Sequence, residues 1–414
     1  MAVKPGYKQT EVGVIPEAWV VCHLSDISTK ITDGDHVTPN RTRHGYYLLS
    51  ARNVLNGAID VSDVDYVGDD EYFRMKRRCG PEAGDILISC SGTIGRVTVV
   101  PAGFECVLVR SAALVKLDRG KADAYYIQFW LQSNPAQVQI ANSVNQGAQP
   151  NLFLNHIERL LCPRPPLQEQ RAIAAALGDV DALLGALGRL IVKKRDLKQA
   201  SMQQLLTGQI RLPGFQGEWE VIRLGSLGRF IKGTGVKKDE ATAGDLPCVR
   251  YGEIYTRHHD VVRTFYSRIT ASVAAKATLL RTGDILFAGS GETKKEIGKA
   301  VAFVHECEAF AGGDIVILRP AAADAKFLGY ILNSAPIQKQ KASRGQGDAV
   351  VHISASSLAA IELRMPPLPE QTAIAAVLSD MDAELDALEQ RLAKTRALKQ
   401  GMMQELLTGR TRLL

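Results

Sequence analysis

A stretch of 48 residues occurs twice in this chain, and no other feature constrains its fold as strongly. From Pro165-Pro166-Leu167-Gln168-Glu169-Gln170 the sequence runs to Arg211-Leu212. It returns without a gap, from Pro366-Pro367-Leu368-Pro369-Glu370-Gln371 to Arg412-Leu413, with 29 of 48 positions identical. A gapless match of that length marks an internal duplication. Each copy opens on a Pro-Pro pair, which stops any helix arriving from upstream, and continues with apolar residues spaced alternately four and three apart. In the first copy these are Ile173, Leu177, Val180, Leu184, Leu187 and Ile191; in the second they are Ile374, Leu378, Met381, Leu385, Leu388 and Leu392. The spacing predicts two long helices with a coiled-coil seam. The seam falters at Lys194 and Thr395 and is expected to resume one register off, through Leu197, Met202 and Leu205 and through Leu398, Met403 and Leu406. Thr207-Gly208 and Thr408-Gly409 end the helices, glycine being suited to a left-handed cap. About 36 helical residues would span roughly 54 Å. Two near-identical seams are natural partners, and a two-fold axis perpendicular to them would pair them antiparallel. Such a dyad would also return the end of the chain to its start. Packing of each stripe on its own globular domain is the plainer alternative.

The segments before the helices are weaker copies of one another. Trp19 and Leu24 correspond to Trp219 and Leu224, and Gly84-Asp85-Ile86-Leu87 to Gly283-Asp284-Ile285-Leu286. Leu131-Gln132-Ser133-Asn134-Pro135 corresponds to Leu332-Asn333-Ser334-Ala335-Pro336, and Gln146-Gly147 to Gln346-Gly347. Each segment mixes short β-branched runs (85–89, 97–100, 112–117; 284–287, 300–304, 314–318) with one helix-like stretch (124–133; 326–334). That pattern predicts an α+β domain with a curved, glycine-punctuated sheet. The expected layout is a first domain over 1–164, a central helix over 165–212, a second domain over 213–364 and a C-terminal helix over 365–414.

Composition narrows the function classes. No apolar run approaches the roughly 20 residues that cross a bilayer, and the polar start lacks a secretory core, so the cytoplasm is the expected location. Seven cysteines stand singly, without C-x-x-C spacing, and the adjacent His258-His259 has no cysteine partner, so no metal site is expected. The net charge of +6 is spread as zero, +3, +4 and −1 over the four segments, which by itself argues only weakly for a polyanionic partner.

Together these residues resemble the specificity subunit of type I restriction-modification systems. The likeness rests on Gly13-Val14-Ile15-Pro16-Glu17-Ala18-Trp19, on the run Gly84 to Gly95, on the two P-P-L-x-E-Q openings and on the two L-L-T-G endings, and it extends over essentially the whole chain. It implies an α+β fold class with two pseudo-two-fold-related target-recognition domains, separated by two long helices that form an antiparallel coiled coil. It also implies that each domain reads one half of a split, asymmetric sequence in double-stranded DNA. The implied partners are two modification subunits, which bind S-adenosylmethionine and methylate adenine, and restriction subunits, which use ATP and Mg. No cofactor is expected in this chain.

Phosphates call for Arg, Lys or backbone N–H, and base edges for Arg, Asn, Gln and acceptors, so candidate DNA contacts are polar residues in glycine-marked loops. In the first domain these are Asn40, Arg41, Arg43, His44, Arg52, Asn53, Ser91, Thr93, Arg96, Gln146, Gln149 and Asn151. In the second they are Lys232, Lys237, Lys238, Arg250, Tyr251, Glu253, Ser290, Thr293, Lys294, Lys295, Arg344 and Gln346. The basic run Arg74 to Arg78 ranks second, because Asp69-Asp70-Glu71 beside it favours a self-paired helix face.

Catalytic readings are weaker. Asp284 with Glu292-Thr293-Lys294 imitates a metal-dependent nuclease, but the loop from Asp85 to Gly95 has neither that Glu nor that Lys. Neither Pro-Pro pair belongs to an Asn/Asp-Pro-Pro-aromatic methyltransferase motif, and no phosphate-binding G-x-x-x-x-G-K-S/T loop occurs. The expectation is a non-enzyme, with a coiled-coil adaptor unrelated to DNA as the alternative from another class.

Overall fold

The computed structural model describes residues 4–144, 150–237, 239–347 and 350–413. The chain divides into two compact units: Met1–Gly188 with Gln390–Leu414, and Arg189–Glu389. Both duplicated stretches are continuous helices, Leu167–Leu205 and Leu368–Leu406, of 39 residues each. At 1.5 Å per residue each is about 58 Å long. Gly208 (φ +71°) and Gly409 (φ +69°) follow their ends in the left-handed conformation that a side chain would strain.

In the first unit a four-stranded sheet runs in the order Val97–Val99, Ile86–Ser89, Ala112–Leu117, Ser28–Asp33. A second sheet carries Cys106–Leu108, Tyr46–Leu49, Asp65–Val67 and Arg41–Thr42, with the first pair parallel. The central strands Ile86–Ser89 and Ala112–Leu117 are almost wholly buried, so their apolar runs lie between a helical layer containing Ala124–Gln132 and the second sheet. The second unit repeats this plan, except that the fourth strand of its smaller sheet joins the opposite edge. Its larger sheet is ordered Gly228–Lys232, Ile315–Pro320, Ile285–Ala288, Ala300–Ala302, and its smaller one Ser267–Ile269, Leu246–Val249, Phe310–Ala311, Thr278–Leu279. The units differ most beside the smaller sheet: the first places the ten-residue helix Asp69–Arg78 there, the second the short helices Tyr251–Thr256 and Ala271–Ala274.

A two-stranded ribbon delivers each domain to its helix. Val20–His23 pairs with Leu161–Arg164, and Glu220–Arg223 with Glu362–Met365. Within each unit the beginning of one long helix then runs antiparallel to the end of the other. In the first, Lys399 meets Asp181 at 2.6 Å and Arg412 meets Glu169 at 2.7 Å. In the second, Lys198 meets Asp382 at 2.5 Å and Arg211 meets Glu370 at 2.6 Å. Glu169 and Glu370, both fully buried, also accept from the indoles of Trp19 (3.1 Å) and Trp219 (3.3 Å), so one carboxylate joins a helix start, a helix end and the domain. The chain end does return to its start, for Tyr7 Oη donates to the carbonyl of Gly409 at 3.0 Å.

All twelve expected seam residues are buried or half-buried. Both expectations for the stripe hold in part. Ile173 and Leu177 enter the core of the first domain together with Leu406 and Leu407, and Ile374 and Leu378 that of the second with Leu205 and Leu206. The expected register slip is corrected. Leu197 (46% exposed) and Leu398 (58%) face solvent, and the four-three spacing continues instead through Lys194 and Lys198 and through Thr395 and Lys399. Lys194 reaches Glu384 at 2.7 Å, so the stretch that reads as a faltering apolar stripe is a seam closed by ion pairs.

Candidate nucleic-acid interface

Loop chemistry in the first unit gathers around the smaller sheet. Arg41 leaves its edge strand and meets Asp65 at 3.2 Å; Arg52 reaches the same carboxylate at 3.2 Å and Asp63 at 3.2 Å. Two guanidiniums are thus held side by side at the surface, half-exposed, by acids of the domain itself. Asn40, Arg43 and His44 are exposed in the same turn, where Thr42 Oγ1 donates to the carbonyl of His44. Asn53 is a correction. It is 2% exposed, its Oδ1 accepts from Ser50 and its Nδ2 donates to the carbonyls of Asp60 and Asp63, so the amide holds a turn and has no edge to offer a base. Its counterpart Glu253 does similar work, accepting from the backbone N–H of Arg250 at 3.2 Å and from the hydroxyl of Ser267.

The small-residue loops lie at the end of the larger sheets. Ser91 bridges to Asn151, and Ser290 to His352, so one pairing recurs in both units. Ser89 ties the first loop by donating to the carbonyl of Thr93 at 2.6 Å, leaving Thr93 exposed and Arg96 half-exposed. In the second unit Lys232, Ser290 and Gln346 come together on one concavity of about 520 Å³, which His352 and Asp314 also line. Asp314 holds φ +58°, the left-handed region uncommon for a side chain other than glycine.

Other candidates are spread out. Lys237 donates its backbone N–H to Glu240, Arg250 caps the helix Tyr251–Thr256, and Tyr251 is 39% exposed. Thr293, Lys294 and Lys295 are exposed on the following loop, Thr293 Oγ1 lying 3.5 Å from Glu296. Arg344 is part-buried at a helix end. Its guanidinium donates to the carbonyls of Gln340 (3.0 Å) and Ala360 (3.3 Å), capping the helix Ala335–Arg344. Gln146, Gln149 and Lys238 lie outside the described residues.

Other charged residues are paired within their own units. Arg74 pairs with Asp35 at 2.6 Å and Glu71 at 2.8 Å, and Arg78 with Asp33 at 3.1 Å, so two of the four basic residues of the run are neutralised within the unit. These carboxylates raise the pKa of Arg74 further, and its guanidinium in return holds the carboxyl of Glu71 below its usual range. Asp284 is fully buried and takes two hydrogen bonds of 2.7 Å from Arg319, so the acid of the nuclease-like spacing is committed to an ion pair. Among the described residues no group of His, Cys, Asp and Glu could hold a metal, and no helix is long and apolar enough to cross a membrane. Two functional candidates, Asp33 and His352, escaped the sequence reading. The signal that could have found them is positional, since each is the partner in the other unit of a residue already singled out or next to it.

Comparison with known proteins agrees with this geometry. The chain is 26% identical to the MjaX specificity subunit of Methanocaldococcus jannaschii, covering 98% of this chain and 97% of that protein. It is 23% identical to the type I restriction enzyme MjaVIII specificity subunit of the same organism, over 96% and 94%. Its fold matches the crystal structure of the type I restriction-modification system S subunit from M. genitalium with a TM-score of 0.62 over 98% of both chains, at 16% identity. The family described as type I restriction modification DNA specificity domain matches twice, over residues 16–191 and 216–396, each match taking in one domain and most of its long helix. Duplicated domains, paired helices and both matches therefore place this protein in the type I restriction modification DNA specificity family.

Proposed function

We propose that this non-catalytic specificity subunit reads a split, asymmetric DNA sequence, one half with each domain, and that the two 39-residue helices set the gap between the halves. The observation that carries the reading is the pair of equal scaffolds with unequal polar loops. The larger sheets share their strand order, while residues at equivalent places on them diverge, as in Asp33 and Asn151 against Lys232 and His352. A duplicated frame with unlike surfaces suits two half-sites of unlike sequence. Half-sites on one face of B-DNA lie roughly 34 to 36 Å apart per helical turn, a distance that helices of about 58 Å can bridge. On this reading the chemistry belongs to partners: two methyltransferase subunits that bind S-adenosylmethionine and dock on the paired helices, with restriction subunits consuming ATP.

The test is a map of methylated adenine in the genome, with and without this gene. A split motif that disappears with the gene is the expected result, and a motif that persists unchanged would refute the assignment. Replacing residues 214–364 with the same segment of another family member should then change one half of the motif and leave the other.

A further inference from the structure

We propose that half-site choice is set at one pair of equivalent positions, Asp33 with Asn151 in the first unit and Lys232 with His352 in the second, each pair flanking a serine common to both. This rests on the reading of the chain as a DNA-specificity subunit and assigns residues to it.

Backbone hydrogen bonds establish the equivalence without reference to side chains. Gly34 N–H donates to Ala112 and Gly233 N–H to Ile315; Cys90 donates to Ser111 and Gly289 to Asp314; Leu152 donates to Cys90 and Ile353 to Gly289. Asp33 therefore stands where Lys232 stands, Ser91 where Ser290 stands, and Asn151 where His352 stands. Gly34 and Gly233 follow the first of these positions, and a Cβ on either would lie 2.2 Å from a backbone oxygen, so in both units the chain is pressed against the neighbouring segment there. The frame is thus fixed and buried, while the residues it presents differ in the sign of their charge.

Their chemistry also differs in a way suited to reading DNA. Lys232 is exposed, and its ammonium has no partner among the described residues. His352 is exposed with Nδ1 2.9 Å from Ser290 Oγ, which fixes the ring and leaves Nε2 without a partner among the described residues. In the tautomer in which the hydroxyl donates to Nδ1, Nε2 carries the proton, and ammonium and imidazole then both present donors to an acceptor-rich edge such as guanine N7 and O6. In the first unit Asp33 instead accepts from His36 at 2.7 Å and Arg78 at 3.1 Å, and Asn151 offers both donor and acceptor. The two surfaces should select different bases.

The experiment uses the complex with its methyltransferase and carries the first unit's residues into the second, as Lys232→Asp with His352→Asn. The mapped methylation motif should change at one half-site, with the other half and the gap unaltered, and affinity for the original target should fall about 10-fold to 100-fold. Lys232→Gln with His352→Gln is the milder pair; it should relax the same half-site. An unchanged motif overturns the proposal. So does equal weakening on every sequence with a salt slope reduced by about one, which would mark Lys232 as a phosphate contact. If the unaltered complex yields no split motif at all, the reading of the chain fails; if it does and the variants keep it, this assignment alone fails.

Discussion

Lys341 carries an ammonium into the core of the second unit, where it is fully buried and donates to the carbonyl of Gly298 at 2.7 Å. Desolvation, with the nearby charge of Lys299, pushes its pKa down to about 7. The unfolded chain holds that proton up to a pH of about 10.4. Between about 7 and 10 the unfolded state therefore holds this proton more than the folded one, and the contribution of Lys341 to stability rises with pH through that window and is flat below it. The same site in the first unit is filled by Ile140, 3% exposed, and Gly95 there and Gly298 here both lie with an ideal Cβ 3.1 Å from that side chain. Lys341→Ile should stabilise the second unit at pH 6 to 7 by on the order of a few kcal/mol, raising its melting temperature, and weaken the pH dependence. Thermal melts from pH 6 to 9.5 would show it, and parallel curves for the two proteins would contradict it. Residue-scale roles of this kind are the least legible in the sequence. Asn53 and Arg344 have the composition of DNA contacts, yet one holds a turn and the other caps a helix. A polar loop residue serves either end equally well until its hydrogen bonds are known, although the Ser50-x-x-Asn53 and Arg250-x-x-Glu253 spacings carry a capping signal.

At the scale of elements the helices were legible because duplication and period coincide, and the misreading came from following apolar residues alone. Leucines at 197 and 398 suggest a slipped seam, whereas the backbone keeps its register and places Lys198 and Lys399 against Asp382 and Asp181. An ion pair in a seam gives less stability than an apolar pair but resists other registers, as polar residues in coiled coils do. Leu398→Gln should accordingly change stability by no more than about 0.5 kcal/mol, while Leu385→Ala, 8% exposed before truncation, should cost about 2 to 5 kcal/mol. Denaturant unfolding of both variants checks the register, and equal losses would restore the slipped one. The carboxylates at the helix starts make a sharper prediction. Glu370→Ala strands the guanidinium of Arg211 and the indole of Trp219, and Glu169→Ala strands those of Arg412 and Trp19. Because the guanidiniums left behind are partly exposed, the loss should be on the order of 1 to 3 kcal/mol, below that of a fully buried pair. Hydrogen exchange should rise around residues 205–223 in the first variant and around 4–23 and 406–413 in the second, each leaving the other unit protected.

At the scale of the whole molecule, the sequence period that exposes the duplication also sets a geometric demand. If the long helices are the spacer between two readers, their length and the DNA gap are one quantity. Deleting one equivalent heptad from each helix removes about 10 Å while keeping the seam in phase. Three base pairs span a similar rise, but on B-DNA they also rotate by roughly a quarter turn or more, so the shortened protein would face its half-sites from a changed angle. The expected outcome is loss of methylation at the original motif, with any surviving activity at a different gap and with both half-site sequences unchanged. Motif mapping separates this from a folding defect, because a shortened protein that still assembles with its methyltransferase and still methylates the original gap would show that the helices do not measure it. Binding should also weaken steeply with salt, since phosphate contacts supply much of the affinity. That loss should be shared by every target, whereas the effect of the deletion should depend on the gap.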